Sequence, residues 1–324
     1  MSSTTETTAV STIGEDDLAP LTADPHKREL YRVDTYLREG LLSFDRLGAF
    51  VNLPDRTFVV IKPDAIAGRR GAVILDILRS RGWHPAAATI FTFNPLLTRE
   101  LWRYQFNAAS EQRIAVVDHL LGSGRSLLVL LEDHARPSWL PASARLTSAK
   151  GVADPEAARG SDLRTQMGRV NGLFNFMHTA DDPADVVREL QLFSYGTGWS
   201  WCAEALASKG LMSTEQQSAA WADVHRQIGT LEAETPAHDL DAERSLERLR
   251  HSSDAWAHCA TAWRSPRRIG DWLDTLATTP LPEGSARWDV LSVLTMWIDC
   301  NQPGIAAVLP TTSADDWRQT PRQT

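Results

Sequence analysis

RTFVVIKPDAI, residues 56–66, sets a run of aromatic and β-branched residues directly against a lysine, a proline and an aspartate. TFVVIK has the composition of a short buried strand. Pro63 cannot donate to a sheet ladder and ends the run, which leaves Lys62 at the strand's C-terminal end. Strand–helix units usually place functional side chains there. Downstream, GAVILDILRSRG predicts an amphipathic helix with Ile74, Ile77 and Leu78 on one face, closed by Gly82. AAATIFTF predicts a second strand, TRELWRYQF a second helix, IAVVDHLLGSG a third helix and SLLVLLE a buried strand. GLFNFMH is the last strand candidate and DDPADVVRELQLF the last helix. Strand, helix, strand, helix, helix, strand, strand, helix is the order of an α/β sandwich.

Residues 1–25, rich in Ser, Thr and acids, predict a disordered tail. HKRELYRVDTYLREGLLSF, with Leu30, Val33, Tyr36 and Leu37 at helical spacing, predicts a helix ending near Gly40, within an N-terminal extension over 26–55. The α/β domain then runs over 56–195. Beyond Tyr195 strand signals stop, and nine of the twelve tryptophans lie there. Leu246, Leu249, Ser253, Trp256, Ala260 and Trp263 recur three and four residues apart, as one helix face does. Trp221, Val224, Ile228 and Leu231 do the same after a capping-box pattern from Ser213 to Gln216. A mainly α-helical, Trp-rich domain over 200–324 is expected, with the tryptophans as core.

The chain has 324 residues, long for one compact domain and comfortable for two, and 43% of them are hydrophobic, enough for a sizeable core. A net charge of −8 with only short basic clusters, GRR at 68–70 and RSPRR at 264–268, argues against nucleic-acid or anionic-membrane partners. The N-terminus has no apolar run of a secretory signal, and no stretch approaches a bilayer span. The three cysteines, Cys202, Cys259 and Cys300, are odd in number and widely spaced, which suits a reducing cytoplasm.

NFMHTADDP, residues 175–183, places His178 before Asp182 and Pro183, the expected N-cap and first residue of a helix. That helix carries Glu189, eleven residues past the histidine, and its carboxylate reaches back to the imidazole only if the chain folds over it. Lys62 and Arg164 would supply two fixed cations for a polyphosphate. Taken singly, each of these residues also has an ordinary structural reading. His251, His258, Cys259 and Cys300 match no standard zinc spacing, and no metal is expected there.

Order and separation together are more specific. Residues 56–193 resemble nucleoside diphosphate kinases: RTFVVIKPDAI looks like that family's opening strand with its Lys-Pro-Asp signature, and DPEAARGSDLRTQMGRVNGLFNFMHTAD like its closing segment. The resemblance implies a ferredoxin-like α/β sandwich and a two-step phosphoryl transfer from ATP with Mg2+. His178 would be the nucleophile that passes the phosphate to a second nucleotide, and Glu189 would orient its ring. Lys62, Tyr104 and Arg164 would contact phosphates and Asn175 the nucleotide near its sugar, with Arg145 and Arg113 as further nucleotide-binding candidates. It also implies a homo-oligomer.

This sequence departs from the family pattern in places. His178-Thr179-Ala180-Asp181 stands where the family has His-Gly-Ser-Asp, so a hydroxyl is missing. Ala153 occupies a phosphate-binding threonine, and the arginine before that turn falls near Thr147, with Arg145 two residues off register. The lid stretch FNAASEQRIAVVDHL lacks the aromatic that stacks on the base, and Arg113 or Ile114 occupies that region. Two readings follow: a phosphotransferase acting on a nucleoside diphosphate or a specialised acceptor, or a nucleotide-binding pseudoenzyme whose helical domain engages a partner.

Overall fold

The strand RTFVVI, β1 (Arg56–Ile61), is buried along its whole length, so both of its faces need cover. In the computed structural model, which describes residues 14–153, 158–252, 255–265, 268–312 and 314–319, it lies inside a four-stranded sheet. Its companions are β2 (Trp83–Phe91), β3 (Ser126–Asp133) and β4 (Met177–Thr179), in the order β2-β3-β1-β4. Neighbouring strands are antiparallel, with Val60 of β1 level with Leu128 of β3 and His178 of β4. This is a ferredoxin-like α/β sandwich, and a mainly helical region follows it.

Side chains alternate across the sheet. Val59 and Ile61 join the helix Gly71–Ser80 on one face, while Phe58 and Val60 meet the helices Thr35–Leu47 and Pro183–Thr197 on the other. The first cluster continues without a break into the C-terminal region through Trp221, Ile228, Leu246, Trp256 and Trp288. The helix Thr214–Glu234 starts in the Ser213–Gln216 capping box and buries Trp221, Val224, Ile228 and Leu231, as their spacing predicts. Among the described residues, no helix is long and apolar enough to cross a membrane.

Several expectations need correction. The expected N-terminal helix is two helices, Pro25–Tyr31 and Thr35–Leu47, because Asp34 caps the second by accepting from Leu37 N–H at 2.9 Å. Gly40 does not end it; the stop is Gly48, in left-handed conformation at φ 65°. Of the expected tail, residues 1–13 lie outside the described residues, and Leu18 and Leu21 are buried against the second cluster. The strand expected over GLFNFMH shrinks to Met177–Thr179, since Phe176 has φ 70° and cannot continue a ladder backwards. The stripe from Leu246 to Trp263 divides between the helices Ala242–Arg250 and Ala255–Ala262, with Trp263 just past the second and Ser253 outside the described residues. The helix Ala142–Lys150 has no counterpart in the expected order of elements.

Gly40 marks where the helices Thr35–Leu47 and Pro183–Thr197 touch. A Cβ there would lie 2.7 Å from the Val187 carbonyl oxygen and 2.9 Å from its Cγ1. Gly40→Ala is therefore expected to destabilise the protein by about 1–3 kcal/mol through forced separation of the helices. Gly196→Ala, where an added Cβ meets nothing within 4 Å, is expected to be neutral or slightly stabilising. Denaturant unfolding of the two variants checks the contrast.

Candidate active site

β4 lies beside β1 with His178 opposite Val60, so the imidazole stands on the face covered by the helix Pro183–Thr197. Asp182 caps that helix, accepting from Asp185 N–H at 3.1 Å, with Pro183 in its first turn. The chain thus folds straight back over the histidine, and Glu189 Oε2 lies 2.7 Å from His178 Nε2. Among the described residues, Nδ1 has no hydrogen-bond partner. Trp102 meets the ring edge-on at 5.1 Å and Phe58 lies at 6.1 Å, leaving the side chain 12% exposed.

This setting keeps the imidazole neutral. Burial, then the nearby Lys150 ammonium, lowers the His178 pKa to about 3. Burial, then Asp185, holds Glu189 well above the ordinary carboxylate range. Both shifts disfavour an imidazolium–carboxylate pair. The two residues are joined by a hydrogen bond whose proton position depends on the ionisation of Glu189.

The cations of β1's end and of the loop before β4 rest on main-chain partners. Lys62 Nζ donates to the Leu173 carbonyl at 2.8 Å and lies 3.6 Å from Asp64 Oδ2. Burial lowers its pKa to about 8 despite Asp64. Arg164, on the short helix Leu163–Gln166, donates to the carbonyls of Gly151 at 3.0 Å and Met177 at 3.1 Å, and its buried Nε has no partner. Burial, then Arg169, lowers its pKa to about 10. Asn175 Nδ2 donates to the Gly172 carbonyl at 2.6 Å, within the loop that leads into β4.

Three other sequence candidates are placed differently. Tyr104 donates its hydroxyl to Asp34 Oδ2 at 3.0 Å and so is tied to the N-terminal extension. Arg113 donates to Asn301 Oδ1 at 3.1 Å, with its guanidinium 5.5 Å from the Phe106 ring centre. Arg145 is turned away altogether: it grips both carboxylate oxygens of Asp133, at 2.5 and 2.6 Å, and stacks on Trp83 at 3.6 Å. Asp133 lies five residues along β3 from Leu128, which is level with Val60, so Arg145 is anchored about 17 Å from the level of His178. A two-residue register shift on a helix turns a side chain by about 200°, which is why this arginine cannot replace one at position 147.

Position 147 itself carries a polar link. Thr147 Oγ1 lies 3.0 Å from Thr179 Oγ1 and donates to Asp181 Oδ1 at 2.8 Å. Ala180 is fully buried, and the Thr147 hydroxyl on the neighbouring helix reaches its carbonyl oxygen at 3.3 Å. Asp64, the acid of the Lys-Pro-Asp signature, takes a role the sequence did not assign it: its Oδ2 accepts from Phe176 N–H at 3.0 Å and fixes the left-handed residue that turns the chain into β4. Lys150 and Trp102 were also unforeseen. Lys150 had a signal in the sequence, a lysine immediately before the turn glycine of KGVADP. Trp102 had none, since its place depends on how the Pro95–Leu101 helix lies over the sheet.

The metal candidates remain dispersed. The Cys259 thiol lies 3.2 Å from Thr275 Oγ1, and His251 Nε2 lies 3.2 Å from Glu247. Among the described residues, no three His, Cys, Asp or Glu side chains come together to hold an ion.

Residues 55–196 match the family model for nucleoside diphosphate kinase, so the chain carries a domain of that family with an extension on each side. The domain has the fold of a family of nucleotide-dependent phosphotransferases. Among solved structures, the chain is similar to the Aquifex aeolicus nucleoside diphosphate kinase, at 24% identity and TM-score 0.36 over 43% of this chain and 94% of that one. The enzyme from Encephalitozoon cuniculi is 20% identical, with TM-score 0.36 over 43% of this chain and 88% of that one. That from Borrelia burgdorferi, with bound vanadate and ADP, is 18% identical, with TM-score 0.35 over 43% and 85%. No curated protein matches the chain.

The His178 shift has a stability consequence. The folded protein keeps this ring neutral down to about pH 3, whereas the unfolded chain takes up its proton near pH 6.5. The unfolded state then binds more protons, so stability falls with pH below 6.5, by about 2 kcal/mol at pH 5. Urea unfolding at pH 7 and pH 5 should show wild type losing about that much more stability than His178→Gln.

Proposed function

We propose that the domain over residues 55–196 is a phosphotransferase that moves the γ-phosphate of ATP, or of another nucleoside triphosphate, through His178 to a nucleoside diphosphate or a related acceptor. The observation that carries this reading is the His178–Glu189 contact at 2.7 Å, which engages Nε2, while Nδ1 has no hydrogen-bond partner among the described residues. A neutral imidazole is a competent nucleophile near neutral pH.

With Glu189 ionised, Nε2–H donates to it and the lone pair lies on Nδ1. Nδ1 attacks the γ-phosphorus, and an N–P bond forms as the bond to the β,γ-bridging oxygen breaks. The electron pair leaves on that oxygen as part of ADP. No proton is lost from Nδ1, because none is there. Positive charge that develops on the ring is balanced through Nε2–H by Glu189. Transfer to the acceptor reverses these steps. The transition state is loose, so fixed positive charge and positioning supply most of the catalysis. Lys62 and Arg164 fit that role, and Asn175 fits a contact near the sugar.

The donor set fits a polyphosphate better than a bare cation, because ammonium and guanidinium groups outnumber free carboxylates around His178. Magnesium bound with the nucleotide would neutralise phosphate charge, a role these residues leave to the nucleotide itself. A second reading, a nucleotide-binding pseudoenzyme, is favoured by the small exposure of His178 and by the segment over 299–312, which is bonded along the lid.

Incubation with γ-labelled ATP separates the two. Acid-labile, base-stable label on wild type but not on His178→Ala supports transfer; ATP binding with no more label on wild type than on His178→Ala overturns it.

The pH profile tests the pair itself. When Glu189 is protonated it donates to Nε2 and leaves the imidazole proton on Nδ1, which blocks attack. The labelling rate should therefore rise with pH through an ionisation above the ordinary carboxylate range, set by Glu189. No separate step should appear near pH 6.5 from His178. Glu189→Gln should remove the rise and lower the plateau rate roughly tenfold or more, by loss of a charged hydrogen bond.

A further inference from the structure

Two lysines are buried beside the His178 segment, and their partners differ. Lys27 is held by two carboxylates, Asp182 at 2.9 Å and Asp185 at 2.7 Å. Lys150 is 7% exposed, yet among the described residues its ammonium has only the Thr179 carbonyl oxygen at 3.5 Å and Asp181 Oδ1 at 3.5 Å. Both contacts lie at the limit of a hydrogen bond, and that Asp181 oxygen already accepts from Thr147 at 2.8 Å. An ammonium carries three donors, and a buried charge with slack partners is costly unless an anion completes it.

The backbone fixes where this ammonium lies. Lys150 ends the helix Ala142–Lys150, and the next residue, Gly151, turns the chain at φ 77°. A Cβ on Gly151 would lie 2.3 Å from Asp162, so only glycine makes this reversal. The Gly151 carbonyl in turn receives Arg164 Nη1 at 3.0 Å, which ties the Lys150 turn to the Arg164 guanidinium. Thr179, whose carbonyl Lys150 faces, directly follows His178 in β4. Lys150 and Arg164, whose charges act on His178, and Lys62 at the end of β1 thus rest mainly on carbonyl oxygens, with Asp64 and Asp181 as their acidic neighbours.

We infer that Lys150 is a phosphate-binding residue of this site, which holds the terminal phosphate of a nucleoside triphosphate and then the phosphoryl group carried by His178. The inference rests on the transfer reading for its second half only; recognition of a triphosphate stands without it. Burial lowers the Lys150 pKa, as befits an ammonium that lacks close anionic partners, and after burial itself this ammonium is the strongest influence lowering the His178 pKa.

The test uses the full chain and three probes, ATP, ADP and inorganic phosphate, titrated calorimetrically into wild type, Lys150→Met and Lys150→Arg. Lys150→Met should weaken ATP about tenfold or more and leave ADP within about twofold, as loss of one charged hydrogen bond to the third phosphate requires. Lys150→Arg should keep most of the preference for ATP. Phosphate competing with ATP in wild type but not in Lys150→Met would assign the site to any free phosphate rather than to a triphosphate terminus, and would overturn the triphosphate assignment. Met matches the lysine stem in length and removes a buried charge, so the fold should persist; if it unfolds, Lys150→Gln serves in the same titrations.

Labelling from γ-labelled ATP separates this inference from the transfer reading. Equal ATP affinity and equal labelling rate in wild type and Lys150→Met overturn the role of Lys150 and leave transfer intact. An unlabelled wild type whose ATP preference is lost in Lys150→Met overturns transfer and supports Lys150. A wild type that binds no nucleotide overturns both.

Discussion

A buried ammonium from the start of the chain sits between two carboxylates of a helix more than a hundred and fifty residues later. Lys27 Nζ contacts Asp182 and Asp185 across sequence separations of 155 and 158 residues. Tyr31 adds a hydrogen bond to the second carboxylate at 2.5 Å. Against the effect of burial, the two aspartates hold Lys27 above its ordinary pKa, so the charge is permanent. These carboxylates are the N-cap and a first-turn residue of the helix Pro183–Thr197, where its dipole also favours negative charge. Removing one member of such a buried set leaves the others uncompensated, at a cost of about 3–5 kcal/mol. The position of Glu189, two turns further along, depends on this anchor.

The same helix is tied a second time to the N-terminal extension. Arg188 pairs with Asp34 at 3.1 Å, and Asp34 also accepts from Tyr104. One aspartate therefore links the extension, the helix behind the histidine and the segment that carries Trp102. From the other end of the chain, the Leu309 N–H donates to the Tyr104 carbonyl and the Val308 N–H to Asn107 Oδ1 at 3.1 Å. Thr312 reaches Asp182 at 3.4 Å, and Ala314 N–H reaches Ser148 on the helix that ends in Lys150. Both extensions meet at Asp182, the cap of the helix that backs His178. The sheet supplies the histidine and its cations, while its flanks fix the carboxylate and the rim.

Burial without full pairing gives the site its chemical character. Where carboxylates are close, as at Lys27, charge is neutralised and the role is structural. Where partners are carbonyl oxygens or long contacts, as at Lys62, Arg164 and Lys150, positive charge is held in place and only partly answered. Such preorganised charge is what a transferring phosphoryl group needs, since it requires no reorganisation during the reaction.

Local chemistry was legible in the sequence. Proline after a β-rich run placed Lys62 at the end of β1; Asp182 with Pro183 announced a helix start; the Ser213–Gln216 box and the apolar spacing from Trp221 to Leu231 described the helix Thr214–Glu234. These signals are readable because each depends on backbone donors, fixed φ or side-chain periodicity within a few residues. The direction of long side chains was not readable. Arg145 spends its fork on Asp133, Tyr104 spends its hydroxyl on Asp34, and Lys150 points inward because Gly151 alone permits the turn after it. Whether a charge stays free for a ligand is decided by which carboxylates the fold brings within 3 Å, and those lie far away in the chain. The sequence by itself thus determined the buried strands β1 and β3 and the helix starts at Asp182 and Ser213. Only the tertiary structure decided which cations remain unanswered, because electrostatic pairing acts through space and not along the chain.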